Sequence, residues 1–452
     1  MIALSIRQLQ QIVDGKLIAI KDENTLINDI STDSRNIISD SLFIALVGNI
    51  FDGHSFAKQA IVLGAIVVLV NHKIDDKTPQ IIVKDTHQAL GQIAAWVRSQ
   101  SKAKVVALTG SSGKTSVKEM AAAILSLCGK TLFTNGNFNN DIGVPLTLFR
   151  LTSQDEFAVI ELGANHIGEI AYTTKIVKPQ SALINNISQA HLEGFGSLDG
   201  VAKAKSEIFL GLSKEGVAII NLDNYRQEWL DNLKDQKMYT FSLQQINADF
   251  YASAIFEGII TKFTLHTPIG EVNINLPLLG LHNISNAIAA SVLAISVGAG
   301  LKQVKAGLES VLPVKGRLYP IWLNDKQLIL DDSYNANVGS MTAAINVLAK
   351  QKGYKVLVVG DMAELGKNSE KLHQQVGETA KIASLDCVVS VGKNSALISQ
   401  FSSVGYHFND KDTATIFLKN LLKEKGDATL LVKGSRSAKM EEIINSLSDH
   451  QD

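Results

Sequence analysis

Cysteine and proline are both scarce in this chain, with two and seven copies in 452 residues. Cys128 and Cys387 lie far apart among apolar residues. That placement argues against a disulfide framework or a cysteine metal site and fits a reducing compartment. An excess of one charge is lacking too: 43 basic against 44 acidic residues leave a net charge of −1. No stretch interleaves basic residues with aromatics, so no nucleic-acid partner is expected. Long apolar runs are also missing. The longest, Ala60 to Val70, is too short for a bilayer, and no membrane span is expected. The start, M-I-A-L-S-I-R-Q-L-Q, has no basic segment followed by an apolar core, so it does not read as a signal peptide. A cytoplasmic location is expected. There is no internal repeat and no low-complexity segment.

What is present is an ordinary globular composition, 46% hydrophobic and 19% charged, in a chain long enough for two to four domains. Its organising stretch is Val105 to Ala123, V-V-A-L-T-G-S-S-G-K-T-S-V-K-E-M-A-A-A. It reads as a short strand, a glycine-bearing turn and a helix beginning near Lys114. Gly110 and Gly113 allow the backbone N–H groups of Ser111, Ser112 and their neighbours to converge on an anion. The helix start contributes partial positive charge, Lys114 a full charge expected to face solvent, and Thr115 and Ser116 hydroxyls, Thr115 suited to Mg²⁺. Only Ser111 and Ser112 separate the glycines, whereas the general phosphate loop has four residues there. An ordinary turn explains the glycines but not the Lys-Thr pair after them. The stretch predicts a site for the phosphates of ATP.

The rest of the chain divides into three units, residues 1–102, 103–312 and 313–452. In the first, Ser5 to Val13 predicts a helix and Leu42 to Val47 a strand. Ser31, Thr32, Ser34 and Arg35 offer hydroxyls and a guanidinium to a diphosphate, although such turns are more often only turns. In the second, strands at Phe157 to Glu161, Ser181 to Asn185 and Val217 to Asn221 alternate with helices, the pattern of a parallel α/β sheet. Asn137, Asn139, Asn140 and Asp141 crowd one of its loops. The third repeats the α/β pattern with strands at Leu328 to Leu330, Lys355 to Val359, Cys387 to Val391 and Thr429 to Val432, resembling a Rossmann-type domain. No G-x-G-x-x-G follows these strands, so a dinucleotide is not expected. The predicted fold class is α/β, with a central parallel-sheet ATPase domain and a Rossmann-like C-terminal domain.

Ligands of parallel sheets gather beyond the carboxyl ends of the strands. Glu161 ends one strand and His191 follows another, so with Thr115 they are candidates to hold Mg²⁺ between ATP and a second substrate. A single histidine or carboxylate is more often structural; placement on successive strands is the informative part.

The strings T-G-S-S-G-K-T-S, E-L-G-A-N-H-I-G-E-I, H-L-E-G-F-G-S, L-L-G-L-H-N-I-S-N-A, K-G-R-L, D-D-S-Y-N-A-N and G-D-M-A-E-L-G together resemble the Mur ligases. Within that family they are most similar to the member that adds D-alanyl-D-alanine to UDP-N-acetylmuramoyl-tripeptide. The resemblance implies a UDP-sugar domain, a central ATPase and a C-terminal domain for the incoming amine; a monomer is expected. It implies that ATP phosphorylates the tripeptide carboxylate and that the dipeptide amine then attacks the acyl phosphate.

Carried onto this sequence, Ser31, Ser34 and Arg35 would serve the UDP portion, and Asn137, Asn335, Asn337, Ser435 and Arg436 other parts of the substrates. Lys114 and the loop Gly110 to Ser116 would bind phosphates, with Asn283 and Asn286 near the adenine, Arg317 near the phosphates and Asp332 near the ribose or elsewhere in the nucleotide pocket. Thr115, Glu161, His191 and Lys205 would serve the metal; Lys114, Lys205 and His191 are the catalytic candidates. Lys205 matches the lysine that many members carbamylate, which would turn a cation into an anionic oxygen ligand. One departure stands out: Val338 follows D-D-S-Y-N-A-N where proline is common in the family. The change relaxes a turn but removes no functional group. A related amide ligase, such as a folylpolyglutamate synthetase, would share the phosphate loop but not H-L-E-G-F-G-S or D-D-S-Y-N-A-N. A non-catalytic nucleotide binder would have no need of Lys114, Glu161, His191 and Lys205 together.

Overall fold

The computed structural model describes residues 1–48, 50–257 and 260–448. Three mostly parallel sheets follow one another along the chain. The first has five strands, among them Asp29–Ser31, Ser41–Ile44, Ala65–Val70 and Gln80–Ile82. Before it stands the helix Ile6–Val13, whose Ser5 side chain accepts from the Gln8 N–H while the Gln8 side chain accepts from the Ser5 N–H. That reciprocal cap explains why the helix starts where it does. The expected strand at Leu42 to Val47 is observed as Ser41–Ile44; Ala45 N still donates to Leu69 O at 3.0 Å, and Val47 forms a separate bridge with Asp52.

The second sheet is the largest, with nine strands. Lys104–Thr109 lies between Phe157–Glu161 and Ser181–Ile184, all parallel. Along it, Val105 and Ala107 enter one apolar cluster while Val106 and Leu108 enter another. A strand buried on both faces has no polar side, hence its continuous apolar run. One face is covered by the packed helices Lys114–Ser126 and Leu281–Ser296. Beyond Val217–Asn221 and Lys237–Ser242 the sheet is extended by Phe250–Phe256, Thr261–Thr267 and Gly270–Leu276, the last two pairings antiparallel. The sequence reading did not foresee these three strands, whose outer faces are partly polar and wet.

The third sheet has six strands: Tyr319–Asn324, Gln327–Asp332, Ala428–Lys433, Tyr354–Gly360, Cys387–Val391 and Gly405–Phe408. Only its first pair is antiparallel. One apolar cluster runs without a break from Leu4 and Ile30 through Val105 and Ile160 to Leu330 and Met341. The three domains therefore share packed joints.

At the joint of the first two sheets, the helix Thr86–Gln100 packs on the helices Gly143–Phe149 and Glu169–Val177. Buried Arg98 donates from Nε to Val177 O at 2.8 Å and from Nη2 to Lys178 O at 3.2 Å. At the other end of Glu169–Val177, Glu207 accepts from the N–H groups of Gly168 at 2.8 Å and Ala171 at 3.0 Å. Each charge satisfies backbone groups that a helix end leaves unpaired. Arg98→Ala would strand buried carbonyls and leave a void. We expect a loss of about 2–4 kcal/mol, read as a lower urea midpoint; an unchanged midpoint would show that the grip contributes nothing.

Candidate active site

The phosphate loop leaves the central strand at Thr109 and enters the helix Lys114–Ser126. Gly113 has φ +76°, and a β-carbon there would stand 2.5 Å from Asn286 Oδ1 and 2.8 Å from Asn185 Nδ2. Both conformation and space demand glycine. The loop is held from the neighbouring strand: Ser111 N donates to Asn186 O at 3.0 Å and Ser112 N to Asn186 Oδ1 at 2.9 Å. Asn185 Nδ2 lies 3.0 Å from both Ser112 O and Asn286 Oδ1. Asn286 thus ties the helix Leu281–Ser296 to the loop.

Lys114 is half-buried rather than free in solvent, and its Nζ donates to Gly110 O at 2.8 Å. Burial lowers its pKa, with Glu161 opposing and Arg317 adding to the effect. Glu161, at the end of its strand, is 2% exposed. Its Oε1 accepts from Asn139 Nδ2 at 2.7 Å and its Oε2 from Thr115 Oγ1 at 3.2 Å. Among the described residues it has no ion-pair partner. A buried carboxylate with hydrogen bonds but no ion pair, beside a hydroxyl, is an oxygen-donor set suited to Mg²⁺.

Arg317 reaches Thr115 Oγ1 with Nη2 at 3.0 Å. Its aim is set by the segment it comes from. Gly316 N donates to Asp331 Oδ2, Leu318 N to Asp332 Oδ1 and Tyr334 N to Gly316 O. The guanidinium lies 4.6 Å from the Tyr334 ring centroid. K-G-R-L and D-D-S-Y-N-A-N are therefore one knitted unit. Asp332 also pairs with buried Lys433 at 2.6 Å, and Lys433 Nζ donates to Asn335 O at 2.8 Å. Asn337 Nδ2 donates to Ser112 Oγ at 3.1 Å and so touches the phosphate loop from the C-terminal domain. Asn337 caps the helix Val338–Ala349 in a reciprocal box with Ser340, so Val338 begins that helix without the help of a proline.

His191 sits in the loop after Ser181–Ile184 with a left-handed backbone, φ +53°. Its Nδ1 is 2.5 Å from Glu364 Oε2, and that contact holds Glu364 below the usual carboxylate range. Lys205 is 1% exposed, in the helix Leu198–Ser206. Its Nζ has no carboxylate or hydrogen-bond partner among the described residues and lies 5.9 Å from the Phe195 ring centroid. Burial, then repulsion from Lys114, lowers its pKa well below that of an ordinary lysine.

These groups surround a cavity of about 760 Å³ between the second and third sheets. Its walls include Ser111 to Ser116, Asn137, Glu161, His191, Asn283, Asn286, Arg317, Asp332, Asn335, Asn337, Ser435 and Arg436. Gly110 and Lys205 lie behind the wall. Ser31, Ser34 and Arg35 are not part of it; Arg35 is exposed and forks onto Asp33 at 2.9 and 2.8 Å. Among the described residues, no three His, Cys, Asp or Glu side chains converge as a ready metal site. The sequence reading assigned no role to Lys433, Tyr334, His282 or Glu364, all of which line the cavity. For Lys433, its place two residues before Ser435 was the available signal. For Glu364 it was the string G-D-M-A-E-L-G, which carries the family resemblance but no assigned role.

Comparison with known proteins adds an independent line. Three family models match in order: Mur ligase family, catalytic domain, at residues 26–98; Mur ligase middle domain at 108–294; and Mur ligase, glutamate ligase domain, at 316–436. The chain is 55% identical to the UDP-N-acetylmuramoyl-tripeptide–D-alanyl-D-alanine ligase of Escherichia coli K12, covering 100% of this chain and 99% of that protein. It is 34% identical to the Bacillus subtilis protein of the same name, covering 99% of each. Among solved structures, MurF from Acinetobacter baumannii superposes with a TM-score of 0.95 at 40% identity, covering 99% of both chains. MurF from Thermotoga maritima in complex with ADP gives 0.85 at 25% identity, covering 94% of this chain and 97% of that one. By sequence over its whole length, the chain belongs to the Mur ligase family.

Proposed function

We propose that this chain is an ATP-dependent ligase that joins D-alanyl-D-alanine to UDP-N-acetylmuramoyl-tripeptide, giving the UDP-linked pentapeptide, ADP and phosphate. One observation carries the reading. A phosphate loop, a buried carboxylate free of ion pairs among the described residues and an arginine from the C-terminal domain converge on one cavity, in a chain similar throughout to enzymes bearing that name. The setting is cytoplasmic peptidoglycan precursor synthesis. The chain is proposed to act as a monomer. Residues 1–102 form the UDP-sugar domain, 103–312 the ATPase domain and 313–452 the domain for the amine, with Ser31, Ser34 and Arg35 on the UDP side.

The chemistry needs an activated acid, because a carboxylate is a poor electrophile and its oxygen a poor leaving group. Transfer of the γ-phosphoryl group to the tripeptide carboxylate makes an acyl phosphate; the dipeptide amine attacks its carbonyl carbon, the C–O bond to phosphate breaks, and the amine proton is lost. Gly110 to Ser116 cradle the phosphates, and Lys114 exchanges the Gly110 carbonyl for the transferring group. Arg317 is aimed at the same charge, so positioning and electrostatics dominate. Asn283 and Asn286 bound the adenine side and Asp332, held by Lys433, the ribose side. Thr115, Glu161 and His191 would hold Mg²⁺ together with nucleotide phosphates and water, and the ion would neutralise charge on the phosphates. Asn137, Asn335, Asn337, Ser435 and Arg436 face the peptide substrates.

Carbamylation of Lys205 requires a neutral amine, and burial and then Lys114 both favour that form. The resulting anionic oxygens would serve a second Mg²⁺ that an ammonium would repel.

The direct test is phosphate release with UDP-tripeptide and a panel of amines. Release is expected with D-alanyl-D-alanine and not with single amino acids; the reverse preference would replace this reading with that of another family member. Lys114→Ala should stay folded and lose about a thousandfold or more in turnover; near-normal rates would remove the phosphate-loop assignment. Lys205→Ala should be nearly inactive, with part of the activity returned by formate, while Lys203→Ala stays active. Full activity of Lys205→Ala would end the carbamate reading.

A further inference from the structure

G-D-M-A-E-L-G spans Gly360 to Gly366, at the carboxyl end of the strand Tyr354–Gly360 in the third sheet. The loop is built to hold one shape. Asp361 accepts from Asn394 N at 3.0 Å and Ser395 N at 2.7 Å, and its carbonyl accepts from Ser435 N at 3.0 Å. Buried His373 accepts from Met362 N at 3.0 Å. The loop delivers Glu364 across the domain joint, where its carbonyl accepts from Glu193 N at 3.2 Å and its carboxylate meets His191.

Three features of that meeting bear on its purpose. His191 Nδ1 is fully buried with no aligned hydrogen-bond partner among the described residues, and Glu364 Oε2, 2.5 Å away, is its close polar neighbour, although the side chain as a whole is 24% exposed. His191 lines the cavity, and the exposed part of its ring excludes Nδ1. Both residues hold left-handed backbones, φ +53° for His191 and +61° for Glu364, a conformation that carries a strain cost and persists where the surroundings demand it. Finally, the Glu364 side chain is 51% exposed, and so open a polar contact contributes little to stability. As adhesive between domains the pair is weak. As a means of fixing one imidazole it is well placed, because a carboxylate on one ring nitrogen sets the tautomer and raises the donor strength of the other.

We infer that Glu364 is a positioning residue: from the C-terminal domain it orients His191 of the central domain so that Nε2 faces the phosphate cavity. The metal-side donor is then complete only when the two domains meet, which couples the amine-binding domain to the ATP centre. The inference rests on the reading of His191 as a magnesium ligand made above.

The test uses the full chain with a non-hydrolysable ATP analogue and Mn²⁺, whose affinity is followed by electron paramagnetic resonance. Glu364→Ala is expected to weaken Mn²⁺ about tenfold, to lower kcat with little change in the KM for UDP-tripeptide, and to leave the thermal midpoint unaltered. In a His191→Ala background the same substitution should change Mn²⁺ affinity no further. If His191→Ala alone leaves Mn²⁺ affinity unchanged, the ligand reading falls and this inference with it. If His191→Ala weakens Mn²⁺ but Glu364→Ala does not, or if the two losses add, the inference alone is overturned.

Discussion

Parallel strands place their carboxyl ends on one edge of a sheet, and the site depends on that constraint. The strand leading to the phosphate loop lies between the strand ending at Glu161 and the strand preceding His191. A carboxylate, a phosphate loop and an imidazole are thereby brought to one edge with no long loop to place them. The same edge rule operates in the third sheet, where Asp332, Gly360 and Lys433 end three adjacent strands. The cavity forms where these two edges face each other.

The contacts between the edges are few and specific. Arg317 reaches Thr115, Asn337 reaches Ser112 and Glu364 reaches His191. Each joins a side chain of the C-terminal domain to the central one, and none is an extensive apolar surface. Polar contacts of this kind depend on geometry, so a small rotation between the domains would alter them more than it would the buried core beneath. Lys433 sits behind this arrangement. A buried cation that binds both a carboxylate and the Asn335 carbonyl holds the D-D-S-Y-N-A-N segment at a fixed distance from its own strand.

The sequence was most legible where strands are buried on both faces. Phe157 to Glu161, Val217 to Asn221 and Cys387 to Val391 agree with the structure residue for residue, because a doubly covered strand is a continuous apolar run with sharp ends. It was least legible in the hairpin strands from Phe250 to Leu276, where one face is wet and the apolar signal is diluted by alternation. The phosphate loop could be read because its chemistry is local, six or seven residues acting together. Glu364 and Lys433 could not be read in the same way: their partners lie 173 and 101 residues away in the chain, a separation that spacing rules do not bridge. Lys114 was expected to face solvent because a helix start usually does, whereas tertiary packing half-covers it. Val338 in place of proline proved compatible with a helix start because the Asn337–Ser340 cap supplies the missing constraint.

The helix Glu169–Val177 carries a guanidinium on its last carbonyls and a carboxylate on its first N–H groups. Its nine residues make a rod of about 13 Å, and its macrodipole is opposed by the right charge at either end. A rod fastened at both tips transmits displacement instead of absorbing it. One tip is held by Arg98, from the helix that follows the first sheet. The other is held by Glu207, two residues beyond Lys205. The helix that follows the first sheet is thus joined, through one short rod and two charge-to-backbone clamps, to the backbone beside the buried lysine.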